Sequence, residues 1–234
     1  LARRLSKLPE GSNKLVIVEG IYSMLGDTCP IHDIARVTKE AGAYLMVDEA
    51  HSLGVLGDNG RGLIEHAGVE DDVDFVLGTF SKSVGTIGGF CVSNHPEVET
   101  MRFASRSYMF TASTPPSIVA SASETLDYIR THPELRTKLW ENTDILYDNL
   151  VRLGYNVGPE KNPVIGVQCP TMEEGIGIWN ALYENSVYVN MALPPAIPGG
   201  KSLLRCSVSA AHTKAQMDVV VKAFEKAAQA TKAA

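Results

Sequence analysis

Short apolar runs that stop abruptly at glycine or charged residues punctuate the first part of the chain. Residues 15–18, 44–47 and 73–77 each have the length and the β-branched or aromatic content of a buried strand. Between the first two, Pro30 opens a stretch over 31–41 in which Ile34, Val37 and Ala41 recur at helical spacing, and Gly42 closes it. A strand, a helical crossover and a second strand predict parallel pairing. Gly54, Gly57, Gly60 and Gly62 then break the chain into a loop, followed by a short helix over 63–67. The loop glycines lack fixed spacing, so no phosphate cradle is assigned to them. Gly88-Gly89 precede a strand over 90–93, and His95-Pro96 lead into a helix over 97–104.

Further on the period lengthens. Helices are predicted over 117–130 and 135–153, the second opened by the capping pattern Thr131-x-x-Glu134 and closed by Gly154. A strand over 164–169, a helix over 172–185 and strands over 187–189 and 203–208 complete an α/β layer, with Thr171-x-x-Glu174 and Thr213-x-x-Gln216 repeating the capping signal. Trp179, Tyr183 and Phe224 read as core. The alanine-rich, charged stretch 222–234 reads as a fraying, solvated tail. The expected class is α/β. Three segments follow: 1–114 as the C-terminal part of a large ligand-binding domain, 115–153 as linking helices, and 154–234 as a small C-terminal α/β domain.

At 234 residues, 44% hydrophobic and 21% charged, the chain can bury a core in one or two domains. A formal charge of −6 argues against broad nucleic-acid binding, which needs a basic surface to displace counterions. Cys29, Cys91, Cys169 and Cys206 form no Cys-x-x-Cys pair and read as reduced core residues. The histidines show no metal-ligand spacing, so no metal is expected. No apolar run approaches a bilayer span and the N-terminus is polar, which predicts a soluble, cytoplasmic protein.

Chemistry concentrates at the ends of the predicted strands. The run 73–77 delivers the chain into Gly78-Thr79-Phe80-Ser81-Lys82-Ser83-Val84-Gly85. A side chain there is held at the carboxyl edge of a sheet, where α/β proteins bind ligands. Lys82 has the amine for a Schiff base with a carbonyl cofactor, and Thr79, Ser81 and Ser83 offer hydroxyls suited to a phosphate. A solvated loop lysine is the alternative. The run 44–47 ends in Asp48-Glu49-Ala50-His51. Asp48 could pair with a protonated pyridine nitrogen, and His51 is one loop step away to contact the ring. Asp-Glu-Ala-His is also the acidic box of a helicase class, but that chemistry needs a phosphate loop of the form Gly-x-x-x-x-Gly-Lys-Ser/Thr, and none occurs. Arg205, following Ser202-Leu203-Leu204, has the fork geometry for a carboxylate, with a surface ion pair as the alternative.

Together, Glu19-Gly20-Ile21-Tyr22-Ser23-Met24, Asp48-Glu49-Ala50-His51, Gly78-Thr79-Phe80-Ser81-Lys82-Ser83 and Tyr108-Met109-Phe110-Thr111-Ala112-Ser113 resemble the α-oxoamine synthases, fold-type I pyridoxal phosphate (PLP) enzymes, and within them the bacterial serine palmitoyltransferases. The resemblance runs over about residues 14–224. It implies PLP as cofactor, a homodimer with shared active sites, and condensation of L-serine with palmitoyl-CoA to 3-ketodihydrosphingosine, CoA and CO2. Lys82 is implied as anchor and base, Arg205 as the grip on the serine carboxylate, Thr111 as a reach to the neighbouring subunit's cofactor phosphate, and Ser23 as a contact near the cofactor hydroxyl. A lysine with its ordinary pKa of about 10.4 is protonated at neutral pH, so its site must lower that value by burial or nearby positive charge. Family members are longer on the N-terminal side, so the chain looks N-terminally truncated. Some also carry arginine where this chain has Leu193. Two alternatives stay open: a related synthase using glycine or alanine with another acyl-CoA, and a truncated, non-catalytic subunit. The acyl substrate and product would favour weak association with a membrane surface.

Overall fold

The apolar run at 15–18 resolves into strand β1, Leu15–Glu19, in which Val16 and Val18 are buried while Leu15 and Ile17 face out. Helix α1, Ile31–Glu40, follows. Its buried positions are Ile31, Ala35 and Thr38, spaced four and three apart, so the expected face of Ile34 and Val37 flanks the contact instead of centring it. Gly42, at φ +59°, turns the chain into β2, Tyr44–Asp48, where Leu45 and Val47 are fully buried. Each such valine or leucine contributes roughly 1.5–3 kcal/mol of burial. Helix α2, Leu63–Ala67, precedes β3, Phe75–Thr79, and β4, Gly89–Val92.

This computed structural model describes residues 1–233, and its first sheet has the order β1-β2-β3-β4. β1 and β2 pair in parallel from Leu15 opposite Tyr44 to Glu19 opposite Asp48, and β3 joins in parallel with Leu77 opposite Asp48. β4 returns antiparallel. The carboxyl ends of the three parallel strands therefore share one edge, as the β-α-β pattern predicted. The helix expected over 97–104 is a 3-10 turn, Pro96–Thr100, continued by one α-turn, Met101–Ala104, and then a separate turn, Arg106–Met109. Helix α3 spans Pro116–Thr131.

The chain divides into two compact units. The first contains Leu1–Ile21 and Thr28–Pro133; the second contains Tyr22–Asp27 and everything from Glu134 onward. The boundary at Pro133 falls within the 115–153 span expected to join the domains. Thr131 is the last residue of α3, and its hydroxyl donates to the Asp127 carbonyl at 2.8 Å. It does not cap α4, Pro133–Arg152, because Pro133 already fixes the first helical turn.

In the second unit, β5, Asn156–Val157, and β6, Val164–Cys169, are followed by α5, Met172–Glu184, then β7, Asn190–Ala192, and β8, Ser202–Ser207. The sheet order is β5-β6-β8-β7, antiparallel throughout. Its core includes Leu150, Val167, Leu182, Leu204 and Phe224. The strand expected at 187–189 lies at Asn190–Ala192 instead. Val187 and Val189 are buried as predicted, but the Val189 carbonyl accepts from Trp179 Nε1 at 2.9 Å, and the ladder to β8 begins only at Asn190. The expected tail is part of helix α6, Lys214–Ala233. Ala223, Phe224 and Ala227 form a buried packing face, so residues 222–229 do not fray; Ala234 lies outside the described residues. The Thr213 box forms in full, Thr213 N donating to Gln216 Oε1 and Gln216 N to Thr213 Oγ1. Thr171 Oγ1 likewise accepts from Glu174 N. Tyr183 is 61% exposed, stacked on Trp179 at the surface and not in the core, and Cys91 is exposed where the other three cysteines are buried. Among the described residues no helix is long and apolar enough to cross a membrane.

Candidate active site

The carboxyl edge continues one residue past β1 and β2: Gly20 N donates to Asp48 O and Glu49 N to Leu77 O, both at 2.8 Å. Asp48 is thereby held half-buried at the end of β2, where its Oδ1 accepts from Ala50 N at 2.8 Å. It lines a cavity of about 720 Å³ together with Ala50, Leu77, Thr79, Arg102 and Tyr108. Thr79 Oγ1 lies 2.8 Å from Ser81 Oγ and donates to Gly88 O at 3.2 Å. Asp48 and Thr79, predicted from separate motifs, thus meet on one cavity.

Ser81, Lys82, His51 and Thr111 do not line that cavity. Lys82 opens a turn closed by Gly85 N donating to Lys82 O at 3.0 Å, with Gly85 at φ +69°. Val84, 3% exposed, anchors the turn among Leu53 and Ala122, so the main chain is fixed although Lys82 itself is exposed. The glycine loop borders the turn: a Cβ on Gly54 would sit 2.9 Å from Ser83 Cβ. His51 is half-buried. Thr111 is exposed, just after the turn Arg106–Met109 and not at a strand end. Among the described residues no group of three or more His, Cys, Asp or Glu side chains is gathered as for a metal.

Glu49 went unassigned in the sequence, yet it is fully buried at this edge. Its side chain is 0% exposed and accepts from Leu63 N and Ile64 N at 2.9 Å each and from Ser52 Oγ. Neither Gly20 nor Gly62 has room for a Cβ beside this carboxyl. Burial pushes its pKa up, against the lowering pull of its hydrogen bonds. It ties the start of α2 to the end of β2 and so closes the glycine loop. A glutamate sharing a short loop with small residues was the only signal available. Glu65 closes the same loop from the other side, accepting from Asn59 Nδ2 at 2.6 Å and Arg61 N at 2.9 Å.

In the second unit, Arg205 occupies the fourth position of β8, not its end, opposite Gly166 of β6. Its Nε donates to Ser23 O at 2.6 Å and its Nη1 to Ser207 Oγ at 3.1 Å. Two sequence-predicted residues 182 apart are thus joined, though through the serine's carbonyl and not its hydroxyl. The guanidinium is half-buried, burial lowers its pKa, and among the described residues no carboxylate pairs with it.

The model for the aminotransferase class I and II family matches residues 1–224. Serine palmitoyltransferase from Caulobacter vibrioides is 52% identical over 225 residues, which cover 96% of this chain and 56% of that protein. The solved serine palmitoyltransferase of Sphingomonas wittichii superposes with a TM-score of 0.95 at 46% identity, covering 99% of this chain and 59% of the other. That of Sphingomonas paucimobilis, solved with a bound PLP–myriocin adduct, gives the same TM-score and identity over 100% of this chain and 59% of the other. The chain spans less than two thirds of these relatives' own length. With the match running through both units and the parallel edge that carries Asp48, the chain belongs to the aminotransferase class I and II family and shares its fold with serine palmitoyltransferases.

Proposed function

We propose that this chain carries the lysine-bearing and arginine-bearing part of a PLP-dependent acyltransferase that condenses L-serine with palmitoyl-CoA, releasing CoA and CO2 and giving 3-ketodihydrosphingosine. The observation that carries this reading is Asp48: a half-buried carboxylate with one oxygen held by Ala50 N, set on a cavity within the roughly 300–1,000 Å³ range of cofactor sites. A carboxylate so placed needs a cation, and a protonated pyridine nitrogen is one. The hydroxyls of Thr79 and Ser81, paired at 2.8 Å, suit a phosphate. The residues present therefore fit PLP, which when bound supplies an electron sink for charge developing at the serine Cα.

With PLP bound, Lys82 would hold it through its amine and would take the serine Cα proton at Nζ. Asp48 would pair with the ring nitrogen and His51 would contact the ring. Thr79 and Ser81, with Thr111 toward a partner subunit of a homodimer, hold the phosphate, and Ser23 serves near the ring hydroxyl. Arg205 binds the serine carboxylate, a half-buried cation without an acidic partner among the described residues. Leu193 withholds a second arginine, so the carboxylate or CoA grip is expected to be weaker than in members that have one.

Addition of PLP should produce a near-visible absorbance band that Lys82→Ala abolishes. Serine with palmitoyl-CoA should then release free CoA faster than glycine does. Faster turnover with glycine would redirect the reading to a related synthase. The exposure of Lys82 favours a second reading, a chain that keeps the fold without its own cofactor chemistry, and the absence of any PLP band would select it.

A further inference from the structure

The segment Tyr22–Asp27 follows β1 in sequence yet belongs to the second unit. Three glycines let it lie directly on that unit's sheet. A Cβ on Gly26, at φ +76°, would collide with the Val164 carbonyl, one on Gly158 with the Leu25 carbonyl, and one on Gly166 would come within 2.8 Å of the Met24 carbonyl. Asn162, 3% exposed, fastens the strap by donating from Nδ2 to Gly26 O at 2.6 Å. Gly166 is the cross-strand partner of Arg205, so the strap crosses β6 where β8 presents its guanidinium, and Ser23 O receives Arg205 Nε at 2.6 Å.

We infer that the strap, fastened by Asn162, is a positioning device for Arg205 that commits the guanidinium to end-on recognition of a carboxylate. A guanidinium has five N–H bonds. Here the single Nε–H is given to Ser23 O and one Nη1–H to Ser207 Oγ, so the remaining three belong to Nη1 and Nη2. A carboxylate can pair with an arginine side-on, through Nε and one Nη, or end-on, through both Nη groups. With Nε engaged by a main-chain carbonyl, only the end-on pair is available. Fixing the fork also reduces the ordering that binding must otherwise impose. The identity of the anion as an amino-acid carboxylate rests on the function proposed above; the engagement of Nε does not.

The test is nitrogen-15 NMR of the arginine side chains in the full chain, with the Arg205 Nε–H signal assigned by its loss in Arg205→Lys. In the unsubstituted protein this proton should exchange with water at least tenfold more slowly than those of exposed arginines such as Arg3 and Arg4. Asn162→Ala should raise its exchange about tenfold. Ser207→Ala, which leaves the strap intact, should leave Nε–H exchange unchanged, so a general loosening is separable from loss of the strap. Titration of the PLP-treated protein with L-serine should shift the Arg205 Nη signals while the Nε–H stays protected. Exchange of Nε–H at the rate of exposed arginines, or its displacement by L-serine, would overturn the inference. Should Asn162→Ala fail to fold, Gly166→Ala displaces the strap at Met24 O and gives the same readout. If the Nε–H is protected and strap-dependent but no Arg205 signal responds to L-serine, the positioning claim stands and the carboxylate assignment falls.

Discussion

Removing the Glu49 carboxyl should cost more than its place in a loop suggests. Glu49→Ala deletes the acceptor for Leu63 N, Ile64 N and Ser52 Oγ, and leaves the two amides at the start of α2 with no partner in a buried site. An orphaned buried amide costs about 1–3 kcal/mol, so the pair costs about 2–6 kcal/mol. Against this, the protein no longer has to desolvate a carboxyl whose raised pKa shows that burial disfavours its charge. The net expectation is a loss of about 2–4 kcal/mol. Glu49→Gln keeps one acceptor oxygen but turns an amide NH2 toward a donor, and should cost about half as much. The sign with pH follows from linkage. A glutamate whose folded pKa is raised contributes stability that is complete below its unfolded pKa and is lost as pH rises through the folded value. The gap between the native protein and Glu49→Gln should therefore be wider in mild acid than at pH 7. Urea denaturation at the two pH values gives the free energies, and hydrogen exchange at Leu63 and Ile64 localises them. A loss below about 1 kcal/mol for Glu49→Ala, or unchanged protection of those two amides, would refute the staple.

Glu65 should behave in the opposite sense. Burial pushes its pKa up, but the hydrogen bonds from Asn59 and Arg61 together hold it below the usual carboxylate value, so its contribution is present above the unfolded pKa and disappears as pH falls through the folded one. Glu65→Gln should flatten the acid limb of a stability–pH curve, and an unchanged limb would count against it. Phe224→Ala, at a position 0% exposed beneath Tyr155, should cost about 3–5 kcal/mol in urea denaturation; a cost near zero would mean that α6 is the frayed tail the composition suggested.

Local physics was legible in the residues. The period-two burial of Val16 and Val18 and of Leu45 and Val47, the helix between them and the turn at Gly42 follow from side-chain alternation and steric freedom, which act over a few residues. The Thr213 box closes within four residues and was equally readable. Family motifs placed Asp48, Thr79 and Lys82 near one sheet edge because strand ends in a parallel sheet must converge. Composition failed where a residue's partner is distant or its environment reverses its usual preference. Ala223 and Ala227, read as part of a fraying end, became a packed face of α6 with Phe224, which joins a core built from β6, β8 and α5. Glu49, a residue type expected in water, became an internal acceptor because folding brought two orphan helix-start amides to it. The junction of Ser23 with Arg205 spans 182 positions and depends on three glycines that leave space for a crossing main chain. Sequence by itself set most of the strands and helices and named the candidate side chains for chemistry. Only the tertiary structure decided which of those side chains are buried, which share a cavity, and that Arg205 Nε is engaged by Ser23 O, because packing and desolvation are properties of neighbours the linear order does not name.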